Sequence, residues 1–145
     1  MEIYTAFERF TGYRRALEDY GIGVDRTLVL EGNNDFESGE RLFHRLMDME
    51  NPPTALCVTN YDMTLGAVTA AHERGIVLGR DMGFFGFDAV DVSRVLSPRL
   101  NVVEQPTRLM GERAGELMLK RLAGDTGNFP ELLRLKARLH FFGQE

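Results

Sequence analysis

The sequence predicts an α/β protein with a mostly parallel sheet and flanking helices, and two observations carry the prediction. Short apolar runs rich in strand formers alternate with longer stretches of helical periodicity. Polar turns join them, most clearly between Pro52 and Ile76, where a strand pattern ends at Thr59-Asn60 and a helical pattern runs on to Gly75. Strands that alternate with helices in this way form right-handed βαβ units.

Each element has its own signal. From Ala6 to Tyr20, Phe10, Tyr13, Leu17 and Tyr20 recur at spacings of three and four, and Gly21 stops the helix. Thr27 to Glu31 is β-favouring and is closed by Gly32-Asn33-Asn34. Asp35 is a good N-cap for a helix that places Phe36, Gly39, Phe43 and Leu46 on one face before Pro52-Pro53 ends it. Met82 to Phe87 reads as a buried strand, with Gly83 and Gly86 allowing close backbone approach, and Asp88 lies just beyond its end. Ala89 to Arg99 is irregular or briefly helical. Asn101 to Gln105 is a further strand, and Pro106-Thr107 opens a helix running to about Ala123. After a loop from Gly124 to Pro130, the last segment alternates: Leu133, Leu135, Ala137, Leu139 and Phe141 on one face, Arg134, Lys136, Arg138 and His140 on the wet one. The front is irregular, because the chain enters its first helix with no room for a preceding strand. The first βα unit lacks its β half.

At 145 residues the chain fits one domain, and domains of this size bury about 68–70% of their unfolded surface. With 43% hydrophobic and 27% charged residues its composition is globular. A net charge of −5 gives it no electrostatic reason to approach a phosphate backbone, so any work on DNA falls to another segment. The single cysteine, Cys57, lies in an apolar strand without a disulfide partner, which predicts a buried, inert thiol and a reducing compartment. No apolar run approaches the roughly 18 residues of a membrane span, and the start carries no signal pattern. A cytoplasmic address is expected, provided Met1 is the natural start.

Polar groups gather where an α/β sheet binds ligands: the Asn60-Tyr61-Asp62 turn after one strand, Asp88 after the next, and Arg9 in the first helix. Amide, carboxylate and guanidinium together can hold sugar hydroxyls or a metabolite's acid group. Structural readings stand beside this one, with Asn60 as a helix cap, Asp88 as a loop stabiliser and Arg9 as a solvated helix residue. No Gly-x-Ser-x-Gly, His-Glu-x-x-His or glycine-rich phosphate loop is present, and no metal-ligand spacing. His44, His72 and His140 do not follow strand ends. The sequence therefore predicts no catalysis, no cofactor and no metal. The helix after Asn60 has a small-residue face, Met63, Gly66, Ala67 and Ala70, suited to lie on a sheet; its other face, Leu65, Thr69 and His72, is a candidate subunit contact or simply a helix surface with one exposed leucine.

Arg9-x-x-Gly12 with Ala16-Leu17, Gly32 with Ser38-Gly39, Pro52-Pro53-Thr54-Ala55, Asn60 with Gly66 and Gly75, Gly86-Phe87-Asp88, and Gln105-Pro106 with Gly111 together resemble the regulatory domain of LacI/GalR-type bacterial transcription regulators. The resemblance covers nearly the whole chain. It implies a type I periplasmic-binding-protein-like fold, incomplete here, in which about 1–100 and 131–145 form the second lobe and about 101–123 belong to the first. It further implies that Arg9, Asn60 and Asp88 contact a small effector, a sugar or related metabolite, and that Asn34 occupies a pocket position often aromatic in the family. Tyr61 stands where the family usually has Asp, and Ala89 where a second acid often follows. Leu65 and Thr69, with the segment near Leu96, would line a homodimer contact. Operator DNA would be bound only by a helix-turn-helix upstream of Met1, so the 145 residues alone are expected to bind no operator and little effector. A lobe of a periplasmic sugar-transport protein shares the fold as an alternative reading, and a small α/β enzyme is the distant one.

Overall fold

The computed structural model describes residues 4–125, 127 and 130–142. The chain forms α1 (Tyr4–Asp19), a 3-10 turn (Arg26–Leu28), α2 (Phe36–Met47), β1 (Ala55–Val58), α3 (Tyr61–Glu73), β2 (Gly83–Phe87), α4 (Val90–Val95), β3 (Asn101–Glu104), α5 (Thr107–Leu122) and β4 (Arg138–His140). The sheet has the order β1-β2-β3-β4. β1, β2 and β3 are parallel, with Ala55 opposite Gly83 and Gly86 opposite Val102; β4 is antiparallel to β3, with Leu139 opposite Val103. An α/β domain with a mostly parallel sheet is what the alternation of patterns predicts.

The helix boundaries follow local chemistry. Asp35 caps α2 by accepting the Ser38 N–H at 2.8 Å, and Asn60 caps α3 by accepting the Met63 N–H at the same distance. α2 and α3 then pack against each other around glycines. A methyl group at Gly39 would overlap the Met63 backbone, and one at Gly66 the Phe36 carbonyl oxygen. The small-residue face of α3 was expected on the sheet; Gly66 instead meets α2, while Ala67 and Ala70 turn into the core. That core closes over one face of the sheet through Phe43, Phe84, Leu100 and Val102, each nearly or fully buried.

Four expectations change. Thr27–Glu31 forms no strand: the chain makes a 3-10 turn over Arg26–Leu28, Val29 is extended, and among the described residues no strand pairs with the segment. Cys57 is exposed rather than buried, because β1 pairs only with β2 and its far side borders an open cavity. Enough protein still surrounds the thiol to disfavour its charged form and push its pKa above 9.0. The final strand is only Arg138–His140, and the apolar face expected to be dry is mostly wet. Leu133, Leu139 and Phe141 lie in solvent, whereas His140 is half-buried with a ring nitrogen 2.7 Å from Glu104 Oε2. Among the described residues no helix covers the apolar side of this edge strand, so the alternation brings no burial there. Finally, β3, expected with the other lobe, is hydrogen-bonded into this sheet, and α5, which follows it, buries no residue. The expected loop from Gly124 to Pro130 lies partly outside the described residues.

Candidate functional site

The carboxyl ends of β1 and β2 open onto a polar cleft of about 340 Å³. Thr5, Ala6 and Arg9 of α1 line one side, Asn34 another, Thr59, Asn60, Tyr61 and Asp62 a third, and Asp88 closes it after β2. All four residues expected to touch an effector, Arg9, Asn34, Asn60 and Asp88, are thus brought to one cavity.

Each is held by contacts that leave part of its hydrogen-bonding capacity free. Arg9 donates from Nη1 to the Thr59 carbonyl, and its guanidinium carbon lies 4.5 Å from the centre of the Phe87 ring. With five N–H donors on a rigid fork, the group keeps others for a ligand. Asn60 uses its side-chain oxygen as the α3 cap and its Nδ2 to donate to Asn34 Oδ1 at 2.7 Å. The cap reading and the site reading of Asn60 therefore hold together, since capping fixes the amide at the cleft wall. Asn34 sits at φ 61°, a left-handed conformation that Asn tolerates better than most residues. Asp88 does too, at φ 62°; its N–H donates to the Val103 carbonyl, and its carboxylate accepts from the Gln105 N–H at 3.1 Å and Gln105 Nε2 at 2.5 Å. A carboxylate offers about four lone-pair directions, so two remain for a ligand.

At the rim, Tyr61 donates to Asp91 Oδ2 at 3.0 Å, a bridge from α3 to the start of α4. The Asp91 carboxylate that accepts this bond holds the phenol above its usual 10.0, with nearby Asp62 acting in the same direction. A phenol so held is a poor proton donor near neutrality. Among the residues lining the cleft there is no histidine, cysteine or serine, and among the described residues no group of three metal-ligating side chains occurs. Amide, carboxylate and guanidinium in one cleft can hold either hydroxyls or an acid group by directed hydrogen bonds.

Gln105, Phe87 and the Tyr61–Asp91 bridge support this site without being among the residues expected in it. Gln105 had a legible signal, since a polar residue between a strand and a helix-opening proline lies at a strand end. The contacts of Phe87 and Asp91 depend on how α1 and α4 fold back, which no local pattern encodes. The residues expected at a subunit contact lie apart from the cleft: Leu65 and Thr69 are half-buried on α3, with the Thr69 hydroxyl donating to the Leu65 carbonyl at 3.0 Å, His72 is exposed, and Leu96 is half-buried after α4.

A polar cleft across the carboxyl ends of parallel strands is the place where α/β sheets hold small ligands. Residues 4–141 match the family model of the periplasmic binding protein-like domain, and the chain belongs to that family. It is 34% identical over 115 residues to the HTH-type transcriptional repressor PurR of Vibrio atlanticus, covering 79% of this chain and 34% of that protein. Among solved structures it is similar to a LacI-family regulatory protein from Chloroflexus aggregans, with 31% identity and a TM-score of 0.79 over 94% of this chain and 49% of the other. It is likewise similar to the transcriptional regulator CelR in complex with cellobiose, with 30% identity and a TM-score of 0.85 over 96% of this chain and 42% of that one. The chain spans about a third of the length of the repressor it matches. In sequence and fold it corresponds to part of the effector-binding domain of LacI-type regulators.

Proposed function

We propose that this chain is the effector-binding and dimerisation part of a bacterial DNA-binding transcription regulator of the cytoplasm, with a sugar or sugar derivative as effector, and that it is not an enzyme. The observation that carries the reading is the convergence of Arg9, Asn34, Asn60 and Asp88 on one cleft at the ends of two parallel strands. The relatives favour this over a transport protein's lobe, being repressors and LacI-family regulators. Asn101–Glu104 then leads out of the effector lobe, and α5 belongs to a partner lobe. In the whole regulator the effector would act by binding one lobe arrangement more tightly than the other, and only that difference in affinity can change how DNA is held. Operator contact falls to a segment outside these residues, in keeping with the net charge of −5.

Titration of the labelled chain with ribose, cellobiose and glucose, followed by NMR, tests the reading. Shift changes confined to Arg9, Asn34, Asn60, Asp88 and their neighbours, weakened at least about tenfold in Asp88→Asn, are expected with one of them or with another sugar. No response to any sugar at high concentration would overturn the effector class. Asn accepts the left-handed backbone at residue 88, so this variant keeps the backbone conformation while it removes one acceptor oxygen.

Leu65, Thr69, His72 and Leu96 form the proposed homodimer contact. Sedimentation of Leu65→Asp and Thr69→Lys should give monomer where the unaltered chain dimerises. Dimers that survive both substitutions would place the contact elsewhere. Thr69→Lys guards against a mere core defect, because Leu65 also packs against the core.

A further inference from the structure

Among the described residues lining the polar cleft, Tyr61 alone is aromatic. Its ring is fixed from two sides: it packs against the core beneath α3, and its hydroxyl donates to Asp91 Oδ2 at 3.0 Å. Asp91 is held in turn, since its other oxygen accepts the Val92 N–H at 2.9 Å. The hydroxyl has one proton, and Asp91 takes it. What the half-buried side chain has left to offer a ligand is ring surface.

The charges around this ring are one-sided. Asp62, exposed and next to it in the chain, lines the cleft without a hydrogen-bonded or ionic partner among the described residues. Asp91 stands on the other side of the phenol, and Asp88 lies deeper in the cleft. Arg9 is the one cation among the described lining residues, and the Thr59 carbonyl and the Phe87 ring already engage it. Acids therefore outnumber bases. A like unit charge held about 4 Å away costs about fivefold in affinity even at the dielectric of water, and a phosphate at this rim meets two such carboxylates.

We propose that Tyr61 is the specificity-determining residue of the cleft: its ring is the wall for the C–H face of an unphosphorylated sugar, and Asp62 and Asp91 beside it turn away the phosphorylated form. This assignment rests on the effector-binding reading above and narrows it from a sugar or sugar derivative to an uncharged one. A sugar ring presents a face of C–H bonds and an edge of hydroxyls. Tyr61 serves the first, while Arg9, Asn60 and Asp88 serve the second. The bond to Asp91 keeps the ring at the rim.

NMR titration of the labelled chain at constant ionic strength, with ribose against ribose 5-phosphate and glucose against glucose 6-phosphate, tests the assignment. With a sugar that moves the amides of Arg9, Asn34, Asn60 and Asp88, the Tyr61 ring protons should move too, and the sugar's C–H protons should shift upfield in the ring current. Its phosphate ester should bind at least about tenfold more weakly, and the double variant Asp62→Asn, Asp91→Asn should narrow that gap at least about threefold. Tyr61→Leu keeps apolar bulk without a ring; it should weaken the sugar at least about threefold and abolish the upfield shift, whereas Tyr61→Phe should bind more tightly than Tyr61→Leu. A phosphate ester that binds as tightly as its parent sugar would overturn the proposal. So would unweakened binding by Tyr61→Leu, or equal weakening in Tyr61→Leu and Tyr61→Phe, and with the four amides still responding each of these leaves the effector reading standing. No response of those amides to any sugar would overturn both.

Discussion

Gly66 has no room for a single added carbon. Its neighbours are the Phe36 carbonyl and the Glu40 N–H of α2, both fixed by the helix ladder, so neither can yield as a flexible side chain would. Gly66→Ala should therefore push α3 off α2 and cost about 3 kcal/mol, the upper part of the usual overpacking range, read from urea unfolding; Gly12→Ala, with open space around it, should cost nothing measurable and even stabilise α1. The residues of the cleft carry the opposite lesson. Asn34 and Asp88 occupy left-handed backbone where glycine is the easier choice, and each uses its side chain there, Asn34 to accept from Asn60 and Asp88 to accept from Gln105.

At the scale of elements, caps decide where helices begin. Asp35 accepts from the Ser38 N–H, and its bonds to Ser38 hold its carboxyl below the ordinary 3.8. Because the folded value is the lower one, the cap's stabilisation is complete above about pH 4 and is lost as pH falls through the folded pKa. Asp35→Asn should lower stability at neutral pH, and the gap between variant and parent should close in acid, as followed by thermal unfolding across that range. α4, six residues with no side-chain cap, has no such device and depends on Val92 and Ser93, whose hydroxyl donates to the Leu100 carbonyl at 2.7 Å.

Across the whole molecule, stability is uneven. α2, α3 and the sheet share one core, whereas α5 buries no residue and exposes Leu109, Met110, Met118, Leu119 and Leu122. Amides of α5 should exchange with solvent at least about a hundredfold faster than those of α3, since opening α5 exposes little further surface. Comparable protection in α5 and α3 would mean that α5 is packed against something in solution, a second copy being the simplest partner. On α5 and β4, apolar periodicity is present in the sequence without burial in the fold, because periodicity states which face prefers cover and does not supply the cover.

The sequence by itself determined the α/β class, both capped helices α2 and α3, the strands β1 and β2, and the strand-end residues Asn60 and Asp88 of the cleft, whereas Asn34 was implied by the family resemblance alone. Each of these rests on contacts between near neighbours: a cap reaches three residues, a helical face repeats every three or four, and a strand end is punctuated by its own turn. Tertiary structure alone decided that Thr27–Glu31 would go unpaired, that Cys57 would be exposed, that Gly66 would meet a helix instead of the sheet, and that Arg9 would lie on Phe87. Pairing and burial belong to two segments at once, and a strand former without a neighbour has nothing to bond to, whatever its own residues prefer.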